Sequence, residues 1–374
     1  MQRNARPSAA KNSAPPTPGN HHLQYYHRHF TPRRTCAPIR KPVLKRLLRY
    51  LLVTFLTLLA LIALAAALFA WFIYTPEPVR PPLTGTLAKG SIDAGGLKRT
   101  YQTYIPKDLP KGAPLVLVMH GSGEGAAEIR IGTGYGFERL ADQHGFAVVY
   151  PKSASFDWND CSKVGDFKVN GTEVDDVGFL TTLVDKLITD IGLDRGRVFA
   201  TGVSAGGFMS LRLALEAPSR YRAVAAVAAN VPVPDNFKCK PAGQGTSVMI
   251  MNGTDDPLVP FAGGEVTLLG LFYKGGNVRS SRESAQYFAE RNQLTGAPVT
   301  TETKVAEGVR VERVRWSKDA SGRDSNVEVE LVAIHGGGHG LPQPYYKRMR
   351  LLGPSPMAPD GASVIWGFFV RQRL

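Results

Sequence analysis

The stretch 202–207, Gly-Val-Ser-Ala-Gly-Gly, constrains the fold of this 374-residue chain more than any other feature. An apolar run typical of a β-strand (197–201) precedes it, and a run with helical character (208–216) follows it. A strand that turns directly into a helix strains the backbone of the central residue, and glycines remove side chains that would clash. The turn lifts the hydroxyl of Ser204 clear of the sheet and places a helix N-terminus, with its free N–H groups, beside it. The pattern predicts a reactive serine on a sharp turn.

The formal net charge of +14 is concentrated at the N-terminus. Residues 1–50 contain eleven Lys or Arg and no acid, which leaves only +3 for the rest of the chain. The basicity therefore belongs to a tail and not to the folded part. This distribution argues against a nucleic-acid partner.

An uncharged apolar segment, Leu51 to Tyr74, follows the basic tail. As a helix its 24 residues would be about 36 Å long, enough to cross a hydrocarbon core of about 30 Å. We expect a disordered cytoplasmic tail (1–42), a basic flank with a transmembrane signal anchor (43–74), a proline-rich spacer (75–87) and an exported catalytic domain (88–374) on the periplasmic or extracellular face. The alternative is a cleaved signal peptide, whose apolar region is usually shorter and closer to the first residue.

The chain contains three cysteines. On this topology Cys36 is cytoplasmic, whereas Cys161 and Cys239 are exported to a compartment where disulfides persist. A Cys161–Cys239 disulfide is one hypothesis, and two unrelated buried thiols are the other. The tail also holds four histidines, but no ordered scaffold positions them, so we expect no metal site.

After about residue 84 the sequence alternates between strand-like and helix-like runs. Leu115–Met119 is continuously apolar, as expected of a strand buried on both faces, and 146–150, 198–201, 223–229, 248–251 and 327–334 are strand-like as well. Helical patterns lie between them and at the C-terminus, at 137–144, 177–191, 280–293 and 363–372. The alternation predicts a single doubly wound α/β domain with a mostly parallel sheet.

A nucleophilic serine needs a general base, and the base needs an acid that orients it. On a sheet of this kind the expected chain order is serine, acid, histidine, each after a strand. The apolar run 247–251 leads into the adjacent Asp255 and Asp256, and the run 327–334 leads into a loop with His335 and His339. We favour His339 as the base because a glycine run can swing it over the sheet edge, while His335 directly ends the strand. Spacing alone leaves Asp255 and Asp256 both open.

Stabilising an oxyanion requires two converging N–H groups. The first candidate is Ala205, which follows the serine, and the second is Ser122, in the glycine-containing loop after the strand Leu115–Met119. A loop of this composition could instead bind a nucleotide phosphate. The next strand, however, ends without the acid that would bind a ribose hydroxyl, which argues against that alternative.

Several of these segments together resemble the polyhydroxybutyrate depolymerase and feruloyl esterase group of α/β-hydrolases. The resemblance covers about residues 88–374 and is carried by segments 115–123, 146–151, 175–179, 201–207, 252–261, 336–339 and 365–369. Alignment with the family pattern puts the acid at Asp256 and the base at His339. Asn252 replaces a usual histidine, and Leu341-Pro342 replaces a Trp-Pro pair, so one aromatic residue that often walls the site is absent.

The resemblance implies a serine carboxylic-ester hydrolase that needs no metal or organic cofactor and acts on a small or oligomeric ester. It also implies that Trp158 lines the substrate cleft, for which a core tryptophan is the alternative. A peptidase or amidase of the same fold would share the catalytic chemistry. A catalytically silent, membrane-tethered binding module is the alternative from another functional class.

Overall fold

The computed structural model of the protein describes residues 41–165, 167–243, 245–268, 270 and 272–372. The predicted disordered tail (1–42) therefore lies outside the described residues, apart from its last two. The described helices are α1 (Lys41–Phe72), α2 (Ala126–Gly132), α3 (Gly136–His144), α4 (Asp176–Ile191), α5 (Ala205–Glu216), α6 (Ser281–Arg291) and α7 (Gly361–Arg371).

Ten of the described strands form one mixed sheet. The strands are β1 (Thr86–Ala94), β2 (Leu97–Ile105), β3 (Leu115–Met119), β4 (Ala147–Pro151), β5 (Lys168–Val169), β6 (Thr172–Glu173), β7 (Val198–Val203), β8 (Ala223–Val227), β9 (Ser247–Gly253), β10 (Gly264–Leu268), β11 (Phe272–Val278), β12 (Val299–Lys304), β13 (Arg310–Lys318) and β14 (Asp324–Ile334). The sheet order is β1-β2-β4-β3-β7-β8-β9-β14-β13-β12, and β5-β6 and β10-β11 form separate pairs. The six central strands, β4 to β14, are parallel, and the outer strands are antiparallel. The predicted α/β class with a mostly parallel sheet is confirmed.

The central strands are buried on both faces, and their side chains divide between two cores. Leu115, Leu117 and Met119 of β3 pack into one core, and Val116 and Val118 pack into the other. Because successive side chains of a strand point to opposite faces, a strand between two helical layers must be apolar at every position. This explains why the continuous apolar runs were recognisable in the sequence.

The turn at Ser204 is tighter than the sequence suggested. Strand β7 extends to Val203 and α5 begins at Ala205, so the turn between them is the single residue Ser204. The outer strands β1, β2, β12 and β13 were not predicted. Each of them leaves one or both faces partly exposed and carries polar residues, so none shows a continuous apolar run.

Helix α1 contains the predicted membrane-spanning segment up to Phe72. It is long and apolar enough to cross a membrane, and none of its most apolar window is buried. A core helix of a soluble domain would be buried, so α1 is not one. The chain divides into two units whose boundary lies inside this helix, between Ile62 and Ala63.

A disulfide joins Cys161 and Cys239, whose Cα atoms are 4.9 Å apart. Next to it, the Lys238 N–H donates to the Cys161 carbonyl at 2.9 Å, and Ser162 pairs with Phe237. The bond therefore ties the segment after β4 to the segment after β8.

We expect replacement of both cysteines (Cys161→Ala with Cys239→Ala) to lower the free energy of unfolding by about 4 kcal/mol, because the bond closes a loop of 78 residues. Urea unfolding of the full-length protein in mild detergent measures this. Cys36→Ala is the control and should leave the urea midpoint unchanged. Equal midpoints for the double variant and the unmodified protein would show that the bond does not stabilise the fold.

Candidate active site

Ser204 occupies a strained turn at the carboxyl end of β7. Its backbone has φ 57° and ψ −121°, a conformation that a residue with a side chain rarely adopts. The Ser204 N–H donates to the Val227 carbonyl at 2.9 Å, which anchors the turn to the neighbouring strand. The Ser204 side chain does not cap α5, although serine at this position commonly does so. The hydroxyl is therefore not used by the helix that follows it.

Two glycines allow the backbone to pack this closely. A Cβ atom added at Gly206 would lie 2.3 Å from the Met119 carbonyl oxygen, and one at Gly202 would lie 2.4 Å from the Gly206 carbonyl. No side chain fits at either position without moving the backbone of α5 away from β3 or β7. The glycine spacing of the motif is thus required by packing.

Asp256 and His339, which are 83 residues apart in sequence, are brought together. The Nδ1 atom of His339 lies 2.8 Å from Asp256 Oδ2, and both side chains are buried. Asp256 Oδ1 accepts N–H bonds from Leu258 and Val259 at 2.8 and 2.9 Å, which orients the carboxylate. When Nδ1–H donates to Asp256, the Nε2 atom of a neutral imidazole is left unprotonated and can accept a proton.

The alternative acid and base lie elsewhere. Asp255 is exposed and accepts a hydrogen bond from the Thr254 hydroxyl at 2.9 Å, as expected of a residue that shapes the turn. His335 lies at the end of β14, where Arg310 donates to its Nδ1 atom at 3.0 Å. Neither side chain takes part in the Asp256–His339 contact.

Glycines also allow the His339 loop to approach β9. A Cβ atom at Gly253 would lie 2.1 Å from the Gly337 carbonyl oxygen. The Gly338 N–H donates to Pro354 at 2.8 Å, and the His339 N–H donates to Leu352 at 2.7 Å. The later segment 352–354 therefore holds the loop in place.

The N–H groups expected to bind an oxyanion come from Ala205 and Ser122. Ala205 is the first residue of α5, so its N–H has no acceptor within the helix. The Gly121 carbonyl, in the peptide group that includes the Ser122 N–H, accepts hydrogen bonds from the Glu124 N–H (3.2 Å) and from His120 Nδ1 (2.7 Å). Because a trans peptide is planar, these two bonds direct the Ser122 N–H to the opposite side.

His120 holds this peptide as a buried neutral imidazole. Ser153 N–H donates to its Nε2 atom at 3.1 Å, so the proton resides on Nδ1 and is donated to Gly121. Burial lowers the pKa of His120, against opposing contributions from its bond to Gly121 and from nearby carboxylates. The neutral form therefore persists to lower pH than in an exposed histidine.

Trp158 lies beneath the same loop and not on the surface of a cleft. Its side chain is fully buried, its Nε1–H donates to the His120 carbonyl at 3.0 Å, and its ring centroid lies 5.0 Å from that of His120. Such burial is what the alternative of a core tryptophan predicts, and not what a side chain lining the substrate cleft would show. We therefore assign Trp158 to the support of the loop.

A polar group next to the loop was not predicted from the sequence. The Asp157 carboxylate is buried, and the hydroxyls of Ser122 and Tyr273 are its hydrogen-bond partners, with Tyr273 Oη at 3.4 Å. Burial raises the pKa of Asp157, and the two hydroxyls partly offset the effect. Burial also raises the pKa of nearby Asp160 to about 6. The only sequence signal for this group was its proximity to Trp158, because Tyr273 lies on the separate β10–β11 pair.

The described residues contain no cluster of three or more His, Cys, Asp or Glu side chains that could hold a metal ion. The histidines of the tail lie outside these residues.

The chain is similar in sequence to known esterases and depolymerases. A family model described as esterase PHB depolymerase matches residues 99–257. The putative esterase NocK of Nocardia uniformis subsp. tsuyamanensis is 29% identical over 278 residues, which cover 72% of this chain and 78% of that protein. Poly(3-hydroxyalkanoate) depolymerase C of Paucimonas lemoignei is 26% identical over 64% of this chain and 58% of its own length. Among solved structures, the acetyl xylan esterase from Aspergillus awamori matches 69% of this chain and 95% of its own, at 18% identity and a TM-score of 0.47.

The buried state of His120 has a consequence for stability. Its pKa in the folded protein lies below the unfolded value of about 6.5, so the unfolded chain binds a proton first as the pH falls. The stabilising contribution is therefore complete above about pH 6.5 and is lost as the pH falls towards the folded pKa, with a slope of at most about 1.4 kcal/mol per pH unit.

We expect the variant His120→Gln, which does not titrate, to show a shallower loss of stability than the unmodified protein between about pH 6.5 and 5. Urea unfolding at half-unit pH steps gives the two slopes. The matched control His335→Gln removes a partly exposed histidine outside the loop and should leave the slope closer to that of the unmodified protein. Parallel curves for His120→Gln and the unmodified protein would contradict the assignment.

Proposed function

We propose that the chain, a carboxylic-ester hydrolase similar to the polyhydroxybutyrate depolymerases, cleaves its ester through an acyl-enzyme formed on Ser204 with the help of His339 and Asp256. The observation that carries the proposal is the buried contact between His339 Nδ1 and Asp256 Oδ2 in a chain whose Ser204 occupies the strained turn after β7. This chemistry requires an imidazole bonded to a carboxylate and a serine whose hydroxyl is not used to cap a helix, both at the same edge of the sheet.

In the first step, Ser204 Oγ attacks the ester carbonyl carbon while His339 Nε2 takes the hydroxyl proton. Asp256 stabilises the resulting imidazolium and keeps its ring oriented. The tetrahedral oxyanion accepts hydrogen bonds from the N–H groups of Ala205 and Ser122. When the intermediate collapses, the bond to the alcohol oxygen breaks, and His339 returns the proton to the departing alcohol.

In the second step, water attacks the acyl-enzyme. His339 removes a proton from the water, and the same two N–H groups stabilise the second oxyanion. Collapse breaks the bond between the acyl carbon and Ser204 Oγ, which regains its proton from His339. The products are a carboxylic acid and the free enzyme, so no cofactor is consumed.

We expect Ser204→Ala and Asp256→Asn each to lower kcat for a p-nitrophenyl ester by about 10³ or more, because the first loses the nucleophile and the second loses the orienting charge. Asp255→Asn is the matched control and should retain nearly full kcat, since the Asp255 side chain bonds the neighbouring Thr254 hydroxyl and the substitution keeps the Asp255 backbone N–H that donates to Gly337. Circular dichroism checks the fold of each variant. Full activity in Ser204→Ala, or equal losses in the two aspartate variants, would sink the triad assignment.

The nature of the bond that is cleaved can be tested directly. We propose that esters are preferred over amides, because the relatives reported above are esterases and a depolymerase. A panel of p-nitrophenyl esters measured beside the corresponding p-nitroanilides separates an esterase from a peptidase or amidase. Hydroxybutyrate oligomers, feruloyl sugars and acetylated xylan then identify the ester class, and we favour short soluble oligoesters or aryl esters for a tethered enzyme.

We further propose that α1 is an uncleaved signal anchor that holds the hydrolase domain outside the cytoplasm. The charge asymmetry supports this orientation, since the basic residues lie on the N-terminal side of the apolar segment.

The topology predicts that Cys36 is protected from a membrane-impermeant maleimide in intact spheroplasts and becomes labelled after lysis. The control variant Ser91→Cys places a thiol at an exposed position of β1 and should be labelled without lysis. Labelling of Cys36 in intact spheroplasts would contradict the proposed orientation. Loss of the first 70 residues from the mature protein would show cleavage instead.

A further inference from the structure

Arg348 is a largely buried cation that the proposed chemistry does not use. Its side chain is 11% exposed, and its Nη2 atom lies 3.2 Å from Glu124 Oε1. A Cβ atom at Gly340 would lie 2.7 Å from the Arg348 Cδ atom, and one at Gly132 would lie 3.1 Å from Nη2. The side chain therefore lies in a channel that two glycines leave open.

The Glu124 carboxylate, which binds Arg348 through one oxygen, contacts the backbone of Gly121 through the other. Glu124 Oε2 accepts the Gly121 N–H at 3.0 Å, while the Glu124 N–H donates to the Gly121 carbonyl. Glu124 thus binds both polar groups of Gly121, and Arg348 binds the remaining carboxylate oxygen. Because both oxygens are engaged, the carboxylate has one orientation.

Gly121 lies directly beside the reacting groups. A Cβ atom built on it would lie 3.6 Å from Ser204 Cβ, and its carbonyl shares a peptide plane with the Ser122 N–H. Arg348 in turn contacts the loop that carries His339, since a Cβ atom at Gly340, the residue after His339, would lie only 2.7 Å from the Arg348 Cδ atom. The contacts therefore run from the loop that carries His339, through Arg348 and Glu124, to the loop after β3 that carries Gly121 and Ser122 (the oxyanion loop).

We propose that Glu124 and Arg348 are positioning residues that fix the Ser122 N–H relative to Ser204 and link the oxyanion loop to the loop that carries His339. This inference rests on the proposed function, because it assigns Ser122 as an oxyanion donor. The pair touches no reacting atom. It acts through the backbone of Gly121, so its loss affects the transition state more than substrate binding.

The test uses the full-length protein with Arg348→Gln, Arg348→Lys and Glu124→Gln. We expect Arg348→Gln to lower kcat by about tenfold while KM changes by less than about twofold, since a displaced oxyanion donor weakens only the transition state. The affinity for a boronic acid, which forms a tetrahedral adduct with a serine hydroxyl, should fall by the same factor as kcat/KM. Arg348→Lys keeps the charge and should restore part of the loss. Glu124→Gln keeps an acceptor for Gly121 and should lose less than Arg348→Gln.

Arg212→Gln is the matched control. It breaks an ion pair of similar burial, Arg212–Glu216 at 2.8 Å, at the far end of α5 from Ser204. Equal effects of Arg212→Gln and Arg348→Gln on kcat and on boronic acid affinity would show that Arg348 stabilises the fold without positioning the site. That result would overturn the proposal.

Hydrogen exchange of the Gly121 amide separates this proposal from the proposed function. Arg348→Gln should speed exchange at Gly121 because its acceptor becomes mobile, and Arg212→Gln should not. Unchanged exchange at Gly121 overturns the link whatever the activity. Faster exchange with unchanged kcat overturns the positioning role. If the unmodified chain hydrolyses no ester, the proposed function fails and the positioning role fails with it, while the exchange result still reports on the contact itself.

Discussion

The active site depends on close backbone packing where β7 turns into α5. At Gly206 the backbone of α5 lies so close to the Met119 carbonyl that no side chain would fit between them. Because α5 begins this close to the sheet, Ser204 must adopt its strained conformation. That conformation costs free energy, which the burial of nearly all of α5 between the sheet and its neighbours offsets. Two properties of the site follow: the turn between β7 and α5 is the single residue Ser204, and Gly121 of the loop after β3 lies against it. A larger residue at position 206 would disturb both together.

Parallel strand order explains why groups far apart in sequence meet here. Strands β3, β7, β8, β9 and β14 are consecutive in the sheet and point the same way, so the loops at their carboxyl ends share one edge. The loops after β9 and β14 each offer two candidate side chains, and the fold pairs only Asp256 with His339. The side chain of Asp255 instead bonds the Thr254 hydroxyl within its own turn, and that of His335 bonds Arg310 at the surface. Topology brings the loops together, and close glycine contacts decide which residue of each loop faces inward.

The surroundings of the site are held by buried polar groups. His120 and Trp158 bind the oxyanion loop from below, and Glu124 with Arg348 binds it from the side. Burying such groups is costly unless each donor and acceptor is satisfied, and most of these bonds reach the backbone of the loop. The sequence did not reveal this layer. The sequence left Trp158 open between a substrate contact and a core residue, and its ring is buried beneath the loop. The pairing of Glu124 with Arg348 joins residues separated by 224 positions.

The sequence by itself determined the central strands, most helices, the strained serine, the chain order of acid and base, and the apolar N-terminal helix. Each of these is recorded locally, as an apolar run, a glycine spacing or a residue that follows a strand. The antiparallel outer strands β1, β2, β12 and β13 were not predicted, because a strand with an exposed face lacks a continuous apolar run. Only the tertiary structure decided that Cys161 bonds to Cys239, that Asp256 and not Asp255 binds His339, and that Trp158 supports a loop. These outcomes depend on which distant backbone segments come within a few ångströms, and no local pattern of residue types contains that distance.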